Sequence, residues 1–195
     1  MKFKRINKVC EGKYITRYNI DYETEIGSQK TYEMISRSND LDTFEKLHET
    51  RPDAVIMIIH NETGDKLLLN REFRMAVGEW VYNFPAGLID EGENERDAAK
   101  RELYEETGLT LESVSEVWKE SYSAIGFSNE KGVVIVGTAS GSIRPSDSDM
   151  EEIAAAWYTK QDVRKLLENS RFAARTQAYC ALWSKNKEEE CELDH

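Results

Sequence analysis

The run Asp53-Ala-Val-Ile-Met-Ile-Ile-His60 constrains the fold more than any other stretch of this chain. It has the length of a strand and is apolar throughout its interior, where a half-buried strand would alternate. Such a strand is central and buried, with cover on both faces. Asn61-Glu-Thr-Gly-Asp65 follows as a turn, and Lys66 to Asn70 returns as the partner strand. Trp80-Val-Tyr-Asn-Phe84 reads as a further strand leading into Pro85-Ala86-Gly87. Alternation predicts two earlier strands, Tyr14 to Tyr22 and Lys30 to Ser36, about a turn at Ile26-Gly27-Ser28. A short helix is expected near Leu41 to Leu47, strands over 112–123, 131–138 and 152–158, and helices over 160–169 and 172–185. Ser140 to Met150 is rich in Gly, Ser, Pro and Asp and reads as a long loop of the kind that forms lids or binding elements.

Between these strands lies one helix with clear end signals, over 94–107. Asn94 is placed to cap its first turn, with Asp97 at the third helical position, and Gly108 follows the last turn. Glu102, Glu105 and Glu106 stand at i, i+3 and i+4 and so share a face. Like charges at those spacings cost a few tenths of a kcal/mol per pair in an isolated helix. A solvated acidic face is the plain reading. Two features weigh against it: small Ala98 one turn before Glu102, and the glycine-containing turn Gly87-Leu-Ile-Asp-Glu-Gly92 that leads into the helix. Three carboxylates on a rigid element, with a backbone carbonyl from that turn, make a site for Mg²⁺ or Mn²⁺.

Composition narrows the partners. The 195 residues carry 26 Lys and Arg against 37 Asp and Glu, a net charge of −11, which disfavours binding to nucleic acid. Three cysteines (Cys10, Cys180, Cys191) with no CxxC pair indicate neither a zinc site nor a disulfide framework, and suit a reducing cytoplasm. Three histidines (His48, His60, His195) leave little room for a His-centred triad, so any metal should be a hard ion on oxygen ligands. No apolar run approaches the roughly 20 residues of a membrane span, and no apolar segment follows Met1-Lys2-Phe3-Lys4-Arg5 as a signal peptide would require. The four tryptophans (Trp80, Trp118, Trp157, Trp183) are expected to pack in the core or against helices.

Gly87, five residues to Glu93, seven to Arg101-Glu102-Leu103, one to Glu105-Glu106 and one to Gly108-Leu109 reproduce the Nudix box. The chain therefore resembles the Nudix hydrolase superfamily. Phe84-Pro-Ala-Gly-Leu-Ile-Asp90, Glu72-Phe73-Arg74, Arg171-Phe-Ala-Ala-Arg175 and Thr31-Tyr32-Glu33-Met-Ile-Ser-Arg37 look like its ADP-ribose pyrophosphatase branch. The resemblance implies an α/β fold, a Nudix-type α/β/α sandwich with a mixed sheet, and a small N-terminal β subdomain. That subdomain, residues 1–50, would pair two chains into a homodimer; residues 51–185 would form the hydrolase domain and 186–195 a charged tail.

The resemblance also implies roles. The Ala86 carbonyl, Glu102 and Glu106 match the usual metal ligands and Glu105 an auxiliary one, while Glu93 and Arg101 match a pair that holds the box together. The catalytic set would be Glu105, Glu106 and a base on the loop before the last strand. Glu152 aligns best with that base, and Glu151 and Asp149 stand beside it as alternatives. Arg74, Tyr32, Arg37 and Glu130 match substrate-binding positions, with Tyr32 where relatives stack a nucleobase. Ala124-Ile125 replaces a proline in the stretch that ends at Glu130, and Asn83 stands where many relatives carry Glu. The expected reaction is Mg²⁺-dependent cleavage (Mn²⁺ as the alternative ion) of a small-molecule nucleoside diphosphate sugar, with ADP-ribose leading. GDP-mannose or another nucleotide sugar, and a non-catalytic sensor of the same fold, are the competing readings.

Overall fold

The computed structural model describes residues 1–48, 51–146 and 150–185. By its internal contacts the chain divides into two units, residues 1–55 with 119–133, and 56–118 with the described residues from 134 onward.

In the first unit, β1 (Lys2–Glu11), β2 (Thr16–Glu23) and β3 (Gln29–Ser36) form a three-stranded antiparallel sheet in that order. Ile6, Tyr18, Ile20, Met34 and Leu41 form its core, with Phe3, Tyr22 and Leu47 packed on the margin. Helix α1 (Phe44–His48) follows. β2 and β3 are close to their sequence limits, but β1 has no counterpart in the sequence reading. Only Ile6 of its ten residues is buried, and the register slips between Phe3 and Arg5 and again between Lys8 and Cys10. A charged, bulged edge strand is what keeps a sheet from pairing further, and it leaves no alternation to read.

The larger sheet has the order β10-β5-β4-β9-β8, with β6 on β5 and β7 on β4. These are β4 (Ala54–His60), β5 (Lys66–Arg74), β6 (Glu79–Asn83), β7 (Ala86–Leu88), β8 (Thr110–Tyr122), β9 (Lys131–Ser140) and β10 (Ile153–Thr159). The helices are α2 (Glu95–Thr107), α3 (Lys160–Asn169) and α4 (Ala174–Trp183). The expected mixed α/β architecture with an N-terminal antiparallel sheet is the one observed.

The apolar run of β4 is buried on both faces, as its composition requires. Ile56 and Ile58, with Leu67 and Leu69 of β5, pack against Val163 of α3 and Cys180 of α4. The alternate positions Met57, Ile59 and Leu68 are equally buried. On their side lies α2, identified by the hydrogen bond from Asn70 of β5 to Glu106 of α2. Helix α2 buries Ala98, Ala99 and Leu103 on this face. A fully buried leucine such as Leu103 contributes on the order of 1.5–3 kcal/mol. Trp183 packs against the core as expected, but Trp118 does not: it is 41% exposed, and its indole donates to Glu116 at 2.6 Å. It stands in the second half of β8, where the strand's residues are exposed.

Candidate functional site

Helix α2 begins and ends where its caps dictate. The Asn94 side chain accepts from the Arg96 and Asp97 amides, and Gly108 takes the left-handed conformation (φ 76°) with its amide on the Tyr104 carbonyl. Arg144 closes the same end. Its backbone amide donates to the Thr107 carbonyl at 2.9 Å, and its guanidinium lies over the Tyr104 ring.

The helix is locked to the preceding loop by Arg101. Its guanidinium grips Glu93 with two bonds, Nε to Oε1 at 3.1 Å and Nη2 to Oε2 at 2.8 Å. It also donates to the Leu88 carbonyl at 2.9 Å, to Glu102 at 2.7 Å and to Glu105 at 3.3 Å. This planar fork is a geometry that lysine lacks. The Arg101 bonds hold the Glu93 carboxyl below its ordinary range. Gly87 then closes directly on the helix: a Cβ built there would lie 1.8 Å from Cδ of Glu102. The backbone after Ala86 is therefore cradled against the Glu102 carboxylate.

Glu106 is 8% exposed, and its Oε2 accepts from Asn70 Nδ2 at 2.9 Å. Burial pushes its carboxyl well above the ordinary range; the charges of Glu102, Glu72 and Glu151 push the same way and the Asn70 bond opposes them. Burial also raises Glu102, against the bond from Arg101. Glu105 is more open and is engaged by Arg101. Among the described residues no group of three or more His, Cys, Asp or Glu side chains is assembled as a metal cage. Arg101 and Asn70 occupy the helix carboxylates instead. The donor chemistry still fits a hard divalent cation: buried carboxylates within one another's field, a glycine cradle on Glu102, and beside Glu106 the buried Asn70 Oδ1, which has no hydrogen-bond partner among the described residues.

A cavity of about 480 Å³ is lined by Glu72, Phe73, Arg74, Met150, Glu151 and Glu152 among others. It brings Arg74, expected to contact substrate, together with Glu152, the expected base, and its neighbouring alternative Glu151. The Arg74 guanidinium lies 3.5 Å from Glu72, a loose contact. Asp149 lies outside the described residues. Tyr32, Arg37 and Glu130 all belong to the first unit. There Arg37 Nε donates to Glu130 at 2.7 Å, and the Tyr32 hydroxyl donates to the Gly126 carbonyl. Two residues at the acid cluster escaped the sequence reading, Asn70 and, as a member of the cluster, Glu72. Their signal is the period of a strand: polar residues at 70, 72 and 74 share one face of β5.

A sequence profile of the NUDIX domain matches residues 50–178. The chain is 26% identical over 184 residues to an ADP-ribose pyrophosphatase of Bacillus subtilis (strain 168), covering 93% of this chain and 90% of that one. It is 31% identical over 142 residues to an ADP-sugar pyrophosphatase of Mus musculus, and 27% identical over 130 residues to the ADP compounds hydrolase NudE of Escherichia coli (strain K12). Those two matches cover 70% and 67% of this chain, and the chain spans 62% of each of the two relatives. Among solved structures, a crystal structure of an ADP compounds hydrolase matches the fold with a TM-score of 0.70, at 22% identity, over 93% of this chain and 91% of that one. The profile covers about two thirds of the sequence and contains the whole of the loop, helix and acid cluster, and on that ground the chain belongs to the Nudix family.

Proposed function

We propose that the protein is a metal-dependent hydrolase that cleaves the diphosphate bond of a nucleoside diphosphate sugar, with ADP-ribose, yielding AMP and ribose 5-phosphate, as its leading substrate. The observation that carries this reading is the burial of Glu106 beside Glu102 on one face of α2, with the Gly87 backbone closed onto Glu102. The names of the relatives, which act on ADP-ribose and ADP-sugars, support the substrate class.

Glu102, Glu106 and the Ala86 carbonyl would hold the cation, Mg²⁺ or Mn²⁺, with Glu105 as an auxiliary ligand. When bound, the ion supplies charge neutralisation of the diphosphate and a water of lowered pKa. The chain's own residues do the rest. Arg101 and Glu93 keep the loop against the helix so that the ligands face one way. Arg74, only loosely tied to Glu72, offers its fork to a phosphate oxygen from the wall of the cavity. Glu152 on the same wall is the base that orients the attacking water, with Glu151 as its alternative. In the first unit, Tyr32, Arg37 and Glu130 are the candidates for contact with the nucleotide.

A panel of nucleotide sugars incubated with Mg²⁺, with products identified by mass, tests the assignment. AMP and ribose 5-phosphate should form from ADP-ribose faster than products form from GDP-mannose or the other sugars. Glu106→Gln should lower turnover by about 100-fold or more while leaving the fold intact. Turnover of the variant within a few-fold of wild type would remove Glu106 from the metal site. No turnover of any sugar by wild type would favour a sensor.

Residues 1–50 are assigned to pairing two chains, with Tyr14, Ile15 and Ile26 exposed on this segment in support. Light scattering should then give twice the 22.5 kDa chain mass, and a mass of one chain would refute the assignment. Among the described residues no helix is long and apolar enough to cross a membrane, and Cys10 and Cys180 are free thiols. The free thiols suit a reducing cytoplasm, the location proposed here.

A further inference from the structure

Two asparagines stand opposite each other in the β5–β6 ribbon, Asn70 paired with Asn83. Each spends its amide donor on a buried carboxylate. Asn70 Nδ2 donates to Glu106 Oε2 at 2.9 Å, and Asn83 Nδ2 donates to Glu72 Oε1 at 2.9 Å. Asn83 is held in turn by the buried Thr176 of α4, whose hydroxyl donates to Asn83 Oδ1 at 2.8 Å. Asn70 is 1% exposed, and its buried Oδ1 has no hydrogen-bond partner among the described residues.

Stability does not account for Asn70. It follows Leu67, Leu68 and Leu69 in a strand, where asparagine is a poor choice and a β-branched apolar residue a good one. A buried acceptor without a donor is costly, because it gives up its bonds to water and gains none in return. Breaking a local rule at such a cost is the mark of a functional position. The chemistry that fits is the support of anions. Glu72 and Glu106 are each 8% exposed, and Glu72 lies within the electrostatic reach of Glu106. An amide donor favours the ionised carboxylate without adding a charge of its own. A lysine or arginine there would neutralise the pair and compete with a cation.

We infer that Asn70 and Asn83 are positioning residues for the cation site. They hold Glu106 and Glu72 as a pair of oriented anions, and Glu72 thereby belongs to the same acid cluster as Glu102 and Glu106. This rests on the metal-site reading above. The Asn70 bond fixes one oxygen of Glu106 and leaves the other with no protein donor among the described residues. The unpaired Asn70 Oδ1 is an acceptor at the same cluster, suited to a water in the coordination sphere of a cation.

The test is Mn²⁺ binding, read from the electron paramagnetic resonance signal of the free ion, on full-length wild type, Asn70→Val and Glu106→Gln. Melting temperatures of the same proteins are measured in EDTA. Asn70→Val should bind Mn²⁺ about 10-fold or more weakly than wild type while keeping a cooperative melting transition in EDTA. Asn70→Ser, smaller and polar, serves the same comparison if the valine variant does not fold. Affinity within twofold of wild type, with or without a lower melting temperature, would overturn the inference and leave Asn70 a residue of the fold alone. Wild-type affinity in Glu106→Gln would instead sink the metal-site reading itself. Loss in Glu106→Gln but not in the Asn70 variants would refute only the role of the asparagines.

Discussion

Gly87 has a negative-φ backbone that any residue could adopt, so its requirement is one of space. A methyl group there would stand 1.8 Å from Cδ of Glu102, and Glu102 is tied on its other side by a 2.7 Å bond from Arg101. The carboxylate cannot retreat without giving up that bond. Gly87→Ala should therefore turn Glu102 away from the loop. The expected outcome is a turnover lowered at least ~10-fold, since a displacement of this size at a catalytic constellation costs one or two powers of ten. The fold should survive, because the change touches the end of a side chain and no core layer. Circular dichroism and steady-state kinetics on the same preparation separate the two effects. Turnover unchanged within twofold would show that the contact between Gly87 and Glu102 is irrelevant to the chemistry.

Helix α2 is the element on which the site depends, and both its ends are local events. At its C-terminus Gly108 sits at φ 76°, and a Cβ there would meet Cγ of Arg144 at 2.3 Å. Gly108→Ala should thus cost roughly 1–2 kcal/mol, through the left-handed backbone and through the displaced arginine. It should also loosen the segment around Arg144, whose backbone amide bonds to the Thr107 carbonyl. A urea midpoint indistinguishable from wild type would refute both causes. The same locality explains why this helix was legible beforehand. A cap, a run of i, i+4 spacings and a glycine stop are written within fifteen consecutive residues. The apolar run of β4 was legible for a similar reason, since both faces are recorded in adjacent letters. β1 was not, because its stability comes from pairing with β2 while its own residues read as charged surface. The asparagine pair was hidden differently. That Asn70 faces Asn83 is a matter of register across the β5–β6 turn, and that Asn70 meets Glu106 joins positions 36 apart. Nothing local encodes either.

For the molecule as a whole, the net charge of −11 hides two populations of carboxylate. Most are solvated or paired with surface lysines and arginines, where each pair contributes little. A few, Glu72 and Glu106 among them, are buried, where ionising a carboxyl has a cost that water does not relieve. A ligand that binds only the folded chain and relieves this cost must stabilise the whole fold by RT ln(1 + [L]/Kd), about 2.7 kcal/mol at one hundred times Kd. For a chain of this size that corresponds to a rise in melting temperature of about 5–10 °C on replacing EDTA with saturating Mg²⁺. Screening of surface charges predicts something different: a smaller change, reproduced by NaCl at matched ionic strength and blind to the identity of any one residue. Glu106→Gln removes the buried acid while keeping its shape, so it should melt at least as high as wild type in EDTA and gain little from Mg²⁺. If wild type and variant respond to Mg²⁺ alike, or if NaCl reproduces the response, the acidity of this protein is a property of its surface and the buried cluster does not bind the ion.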